Sequence, residues 1–334
     1  MVRRRSRCMV VIGPLVSVAI MAMAPGTSAA RVARITPNAS LTWVRLHPQT
    51  SPPADSGAPM AFFPPTGQVV LFGRARPGSR FGETWLWDGV TWTRWTPTGD
   101  VPYDVGDTGG MAYDAATGKL VMFGGRTTDF YVDDTWTWDG TGWTKEAPAR
   151  SPSIRLGLSM FTDPVSGHVV VFGGSYNDVE KHDTWMWDGS NWNRALPATS
   201  PPDRAYARAV LDSTIGQGVL FGGLKDGASL TDTWTWDGTT WTEQAPSTIP
   251  PARNFPGFAD DAARGVVVMF GGEAITGELA DTWFWTGQDW TEVHPARSPH
   301  GRDSASMAFD EARGDVVLFG GGTPSFSARD TWTL

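Results

Sequence analysis

Four arginines stand in register along the chain, Arg155, Arg204, Arg253 and Arg302, each 49 residues after the last. A collar of guanidinium groups suits a carboxylate or an acidic sugar, because the planar fork donates two parallel hydrogen bonds to one carboxylate. A second series runs beside the first: Asp134, Asp183, Asp232, Asp281 and Asp330. Arg–Asp pairs, or arginine bonds to main-chain carbonyls between repeated units, account for both series with no ligand at all. Two readings of the arginines therefore stand, a cationic collar and a set of struts.

Residues that break the register point more directly to a ligand, since a repeated residue serves the repeat. Phe81, Phe130, Tyr131 and Tyr176 have no equivalents in the other units, and Tyr103 and Tyr206 lie on the same side. Exposed rings of this kind stack a sugar or anchor a peptide; the alternative is packing within their own loops. Asp129, Asp178 and Glu180 sit among them and are candidates for the acid–base pair of a hydrolase or lyase acting on a sugar polymer. The five histidines show no metal-cage spacing: His47 and His294 are equivalent positions in two units, and His182 and His300 fall in different units. No calcium loop, phosphate loop or Gly-x-Ser-x-Gly elbow occurs. The sequence thus calls for no metal and no cofactor.

The elements that carry these residues are repeated. Phe-Gly recurs in register at Phe72, Phe123, Phe172, Phe221, Phe270 and Phe319, with spacings of 51 and then four times 49. Five of the six run on into a second glycine; Arg74 departs from the pattern. A Thr-Trp-x-Trp cluster keeps step at Trp85/Trp87, Trp136/Trp138, Trp185/Trp187, Trp234/Trp236 and Trp283/Trp285, and Trp332 with Leu334 is the sixth copy. A lone Trp follows each complete pair by five residues, at Trp92, Trp143, Trp192, Trp241 and Trp290. With Trp43 these sets hold 17 of the 18 tryptophans, leaving only Trp95 outside. Each unit reads as four strands, A to D. In the third unit A is 156–162, B is the β-branched run 168–173, C is 184–187, and Asp188-Gly189 turns the chain into D around Trp192. Repeated small antiparallel sheets with two apolar faces cannot stand alone, and they stack as blades of a β-propeller. The sixth unit lacks strand D, whereas Ser40-Leu41-Thr42-Trp43 looks like an unmatched one. The expectation is an all-β, six-bladed propeller over 41–334, its last blade closed by a strand at about 41–46. Antiparallel order places the D–A and B–C loops on one face of the ring. The longer, varied B–C loops make that face the expected binding surface.

The paired glycines after strand B, the aromatic strand C and the Trp of strand D resemble kelch repeats, over six copies and about 294 residues. WD repeats fit less well, since their period is about 40–45 residues. The resemblance implies a kelch-type propeller, of a kind that binds proteins or carbohydrates. It also brings in the galactose oxidase type, whose copper radical site needs a tyrosine crosslinked to a cysteine. The one cysteine here is Cys8, so the resemblance implies that scaffold without its copper-site cysteine. The expected function is a non-catalytic module for a glycan or protein partner. A sugar-polymer hydrolase or lyase, and a structural part of the cell envelope, are the alternatives.

Composition sets the compartment. Residues 1–30 read as an export signal: Arg3, Arg4, Arg5 and Arg7, an apolar run over 8–24, then small residues, with cleavage expected after Ala29 or Ala30. Residues 31–40 read as a lead-in. Loss of the four signal arginines leaves 23 Lys and Arg against 35 Asp and Glu, a net charge of −12. Such an acidic chain has no electrostatic reason to bind nucleic acid or anionic lipid. No later stretch is long and apolar enough to span a bilayer as a helix, so no membrane insertion is expected once the signal is removed. A secreted or cell-envelope protein is the expectation.

Overall fold

Each β-branched second strand is buried along almost its whole length, as Val169–Phe172 shows in the third blade. Residues of this type favour the pleated conformation and fill the space between two stacked sheets. The computed structural model describes residues 41–73, 80–105, 109–127, 129–323 and 325–334; the expected signal at 1–30 and lead-in at 31–40 lie outside them. The described residues form six four-stranded antiparallel sheets with no helix. Strand A of blades 1 to 6 is Met60–Phe63, Gly110–Asp114, Ser159–Thr162, Arg208–Asp212, Gly257–Asp261 and Ser306–Asp310. Each A strand contacts those of the two neighbouring blades, and blade 6 contacts blade 1, so the ring is closed around an axis.

Closure occurs where the unmatched tryptophan implied. Val44–Leu46 is strand D of blade 6 and pairs antiparallel with Thr331–Thr333, Arg45 opposite Trp332. The described residues from 41 to 334 accordingly belong to a single compact unit.

The repeated aromatic residues explain one another. Every strand-D Trp lies edge-on or tilted against the Phe of Phe-Gly in the preceding blade, from Trp43 on Phe270 (5.4 Å) to Trp92 on Phe319 (5.5 Å). Its indole N–H donates to the strand-C Thr of that same blade: Trp43 to Thr282, Trp92 to Thr331, Trp143 to Thr84, Trp192 to Thr135, Trp241 to Thr184 and Trp290 to Thr233, all at 2.8–3.1 Å. Within each of blades 1 to 5 the second Trp of strand C tilts against the strand-D Trp at 5.3–5.4 Å. In blade 6 Leu334 takes that place beside Trp43. A buried indole removes about 150–250 Å² from water and still needs a partner for its N–H. The Thr supplies one for every strand-D indole, whereas the strand-C indoles of Trp85, Trp138 and Trp285 are buried with no hydrogen-bond partner among the described residues.

Candidate functional site

The D–A and B–C loops share one face, laced together by bridges such as Leu156 with Ser175, Ala205 with Leu224 and Asn254 with Glu273. In blades 3, 4 and 5 the B–C loops fold into two-stranded hairpins, Ser175–Tyr176 with Val179–Glu180, Leu224–Lys225 with Ala228–Ser229, and Glu273–Ala274 with Gly277–Glu278. These hairpins lie where the sequence pattern indicates plain loops. Their ladders are only two residues long, too short for an alternating pattern to register.

The four arginines are struts within a blade. Arg155 is fully buried; its Nη1 and Nη2 donate to Asp183 Oδ1 and Oδ2 at 2.6 and 3.0 Å, Nη1 to the Gly173 carbonyl at 2.9 Å, and Nε to the Ser153 carbonyl at 2.9 Å. Arg204, Arg253 and Arg302 repeat this with Asp232, Asp281 and Asp330 and with the carbonyls of Gly222, Gly271 and Gly320. Partners lie in the arginine's own blade, a correction to pairing between blades. The fork that a ligand carboxylate would take is occupied by aspartate. Burial raises the Asp183 carboxyl, but the bonds and charge of Arg155 outweigh it and hold the group below its ordinary range. Links between blades are made by the main chain instead. The second glycine of the pair donates to the arginine carbonyl of the next blade, as Gly174 does to Arg204 at 2.9 Å, and Gly321 donates to the Asp55 carbonyl that stands in the same place in blade 1.

The register fails in blades 1 and 2. Asp55 stands at the arginine position of blade 1, and Glu83 and Asp134 pair instead with Arg94 at 3.3 Å and Lys145 at 2.9 Å. The symmetry-breaking rings gather beside this break. Phe81 stacks on Tyr103 (5.3 Å, 10°), and Tyr103 meets Phe130 edge-on (5.3 Å, 85°). The next residue, Tyr131, meets Tyr176 edge-on (5.2 Å) and carries the Arg126 guanidinium over its face at 5.4 Å. Phe81 is 47% and Phe130 42% exposed. Phe81, Phe130, Tyr131 and Tyr176 are thus brought into one band across blades 1 to 3, joined by Tyr103 and Arg126. The three carboxylates named from sequence are built into local turns and strands: Asp129 N–H donates to Thr127 Oγ1, Asp178 occupies the hairpin turn at φ 58°, and Glu180 lies in the hairpin ladder.

At the centre of the loop face the chain lines the channel mouth with left-handed residues. Tyr206 (φ 60°), Phe255 (φ 53°) and Ser304 (φ 51°) sit where blades 1 and 3 have Gly57 and Gly157. They join in a main-chain series: Gly57 N–H to Ser304, Ser304 to Phe255, Phe255 to Tyr206 and Tyr206 to Gly157. Positive φ is unusual for bulky residues and marks a conformation that its surroundings enforce. Here the Tyr206 and Phe255 rings stack at 4.2 Å.

A family model, the KLHDC2/KLHL20/DRC7 Kelch-repeats domain, matches residues 139–321, more than half of the chain. The chain belongs to the kelch-repeat family. No curated protein matches it in sequence. Kelch propellers are typically protein-interaction modules, and this kelch propeller offers its departure from symmetry, the aromatic band, on the loop face.

Two features of the kelch ring escaped the sequence reading. Phe255 is one; its signal was a bulky residue at a position held by glycine in two other blades. Asp260 is the other. It lines the central channel near the A–B turns, at a strand position occupied elsewhere by Phe62, Tyr113, Thr162, Leu211 and Phe309. Burial, opposed by a hydrogen bond from Ser213 and reinforced by Asp212 and Asp261, pushes its carboxyl up to about 7.

Proposed function

We propose that the protein is an exported, non-catalytic binding module that engages a protein partner through the aromatic band Phe81–Tyr103–Phe130–Tyr131–Tyr176. The observation that carries this reading is the coincidence of exposed rings with the break in the arginine series. The frame is uniform in blades 3 to 6 and specialised beside blades 1 and 2. The rings are set mostly edge to face, which makes a ridged surface suited to seating apolar side chains. Arg155, Arg204, Arg253 and Arg302 belong to the proposal as the supports that hold the loop face rigid. Export rests on the Arg-rich start and apolar run of residues 1–24.

The test replaces Phe81 and Phe130 together by Ser. Both are well exposed, so the melting temperature should stay within a few degrees of the parent. A partner captured from the cell envelope by the parent should bind the double variant about tenfold or more weakly, as loss of anchoring aromatics does. Equal capture by the double variant, or binding confined to a glycan array, overturns the reading in favour of another surface or a sugar ligand. The hydrolase or lyase alternative has one observation in its favour, the raised carboxyl of Asp260 in the channel. Asp260 lies at the turn end of strand A, away from the loops that carry Asp129, Asp178 and Glu180, so no acid–base pair is assembled with them. Turnover of a polysaccharide by the purified chain would favour that alternative.

A further inference from the structure

The channel has a waist. Met60, Met111, Met160, Ala209, Phe258 and Met307 occupy the same position in the six inner strands and border both a small space of about 100 Å³ on the loop side and a chamber of about 430 Å³ on the A–B turn side. The larger volume falls within the usual span of small-molecule sites, about 300–1,000 Å³.

Below the waist the chamber is walled by Phe62, Tyr113 and Phe309, with the carboxyls of Asp260 and Glu311 beside them. No lysine or arginine lines it among the described residues. Asp260 Oδ2 accepts from the Ser213 N–H at 3.3 Å, while Oδ1 is buried and has no hydrogen-bond partner among the described residues. Its charged neighbours, Asp212 and Asp261, are also acids. A buried carboxyl oxygen without a donor is costly to the fold, and it is the group a ligand donor would satisfy best. Rotation about the Asp χ2 torsion is soft, so the carboxyl of this lining residue can adjust to a donor in the chamber. Aromatic faces and thioethers around acidic groups are the surroundings that favour a cation on an apolar body.

We propose that the turn-side chamber is a second binding site, for a small organic ammonium ion bearing an aryl or alkyl group. The ammonium donates to Asp260, and the apolar part lies against the waist. The site is separate from the aromatic band and does not rest on it.

Calorimetric titration of the purified chain with 2-phenylethylammonium, 2-phenylethanol and phenylacetate tests the assignment. The ammonium should bind saturably, one per chain, and the alcohol and the carboxylate about tenfold or more weakly. Asp260→Asn, which keeps the shape and removes the charge, should weaken ammonium binding about tenfold or more while leaving the circular dichroism of the fold unchanged. Ala209→Trp, which fills the waist, should abolish it. The Phe81→Ser/Phe130→Ser protein should bind the ammonium as the parent does, so failure of the loop-face reading leaves this one intact. Absence of saturable binding at millimolar ligand, equal binding of the alcohol, or undiminished binding by D260N overturns the proposal.

Discussion

Asp260 shows how one side chain departs from a repeat that otherwise dictates its residues. Its folded carboxyl titrates at about 7 and its unfolded one at the ordinary 3.8, with burial the main cause. Between those values the folded chain holds a proton that the unfolded chain has released, so stability falls as pH rises through the window. By pH 8 the full cost is reached, about 4 kcal/mol from the size of the displacement. Asparagine at this position does not titrate. D260N should therefore match the parent most closely near pH 4 and exceed it by up to that amount at pH 8, read from urea unfolding at both ends. A difference that ignores pH would mean that the carboxyl is not desolvated. The aspartates of the arginine struts lie below their ordinary range and weaken the fold as acid protonates them, but they are common to both proteins and cancel in the comparison. Nothing in the local sequence separates Asp260 from its neighbour Asp261. Asp261 instead receives the Arg264 N–H at 3.0 Å in the A–B turn. Period two tells which residues share a face, but in an inner strand both faces approach the channel or a neighbouring blade.

At the scale of elements, the glycine pair after strand B is the clearest link between a motif and a contact. Gly222 has φ +65°, and a Cβ there would lie 2.6 Å from the Arg253 carbonyl oxygen of the next blade. Gly216, in an A–B turn, has nearly the same φ, +63°, with nothing within 4 Å of the added atom. The two positions separate conformational cost from steric cost. Gly216→Ala should lose about 1 kcal/mol, the left-handed penalty alone. Gly222→Ala should lose about 2–4 kcal/mol, because the clashing oxygen is main chain and cannot swing away. Equal losses in denaturant titrations would mean that the blade interface yields, and that the second term is absent. Strand order, the Asp-Gly turns and the closing strand were all legible because Gly, Asp and Trp at those places each have one physical reason to be there. The arginines were legible as a series but not as to their partner, since a spacing of 28 residues to the aspartate fits a contact inside a blade or across to the next one. The aromatic band was legible as residues without equivalents; its assembly depends on how loops from blades 1 to 3 converge, and no periodicity encodes that.

The described residues form a ring in which six interfaces share the Trp–Phe and Trp–Thr contacts, yet one of them is connected differently. Trp43 and Trp241 are both fully buried, donate to Thr282 and Thr184 at 3.1 and 3.0 Å, and pack on Phe270 and Phe172 at 5.4 and 5.1 Å. Strand D around Trp241 is tied to its strand C by the Asp237-Gly238 turn and four residue pairs. The strand after Trp43 has three pairs, and its strand-C partner lies at the far end of the sequence. Removing either indole leaves a similar cavity, for which about 3–5 kcal/mol is usual. In Trp241→Ala the turn keeps the strand in place, so the loss should stay in that range. In Trp43→Ala the strand loses its main anchor with no turn to return it, and its release leaves Thr331–Thr333 as an unpaired edge. Trp43→Ala should therefore cost more than Trp241→Ala in the same denaturant series, and its hydrogen exchange at Thr331–Thr333 should quicken at denaturant levels where the other blades are still protected. Equal costs with uniform exchange would mean that the ring grips its closing strand through the backbone pairing and the neighbouring blades, and that the indole is only one more core residue.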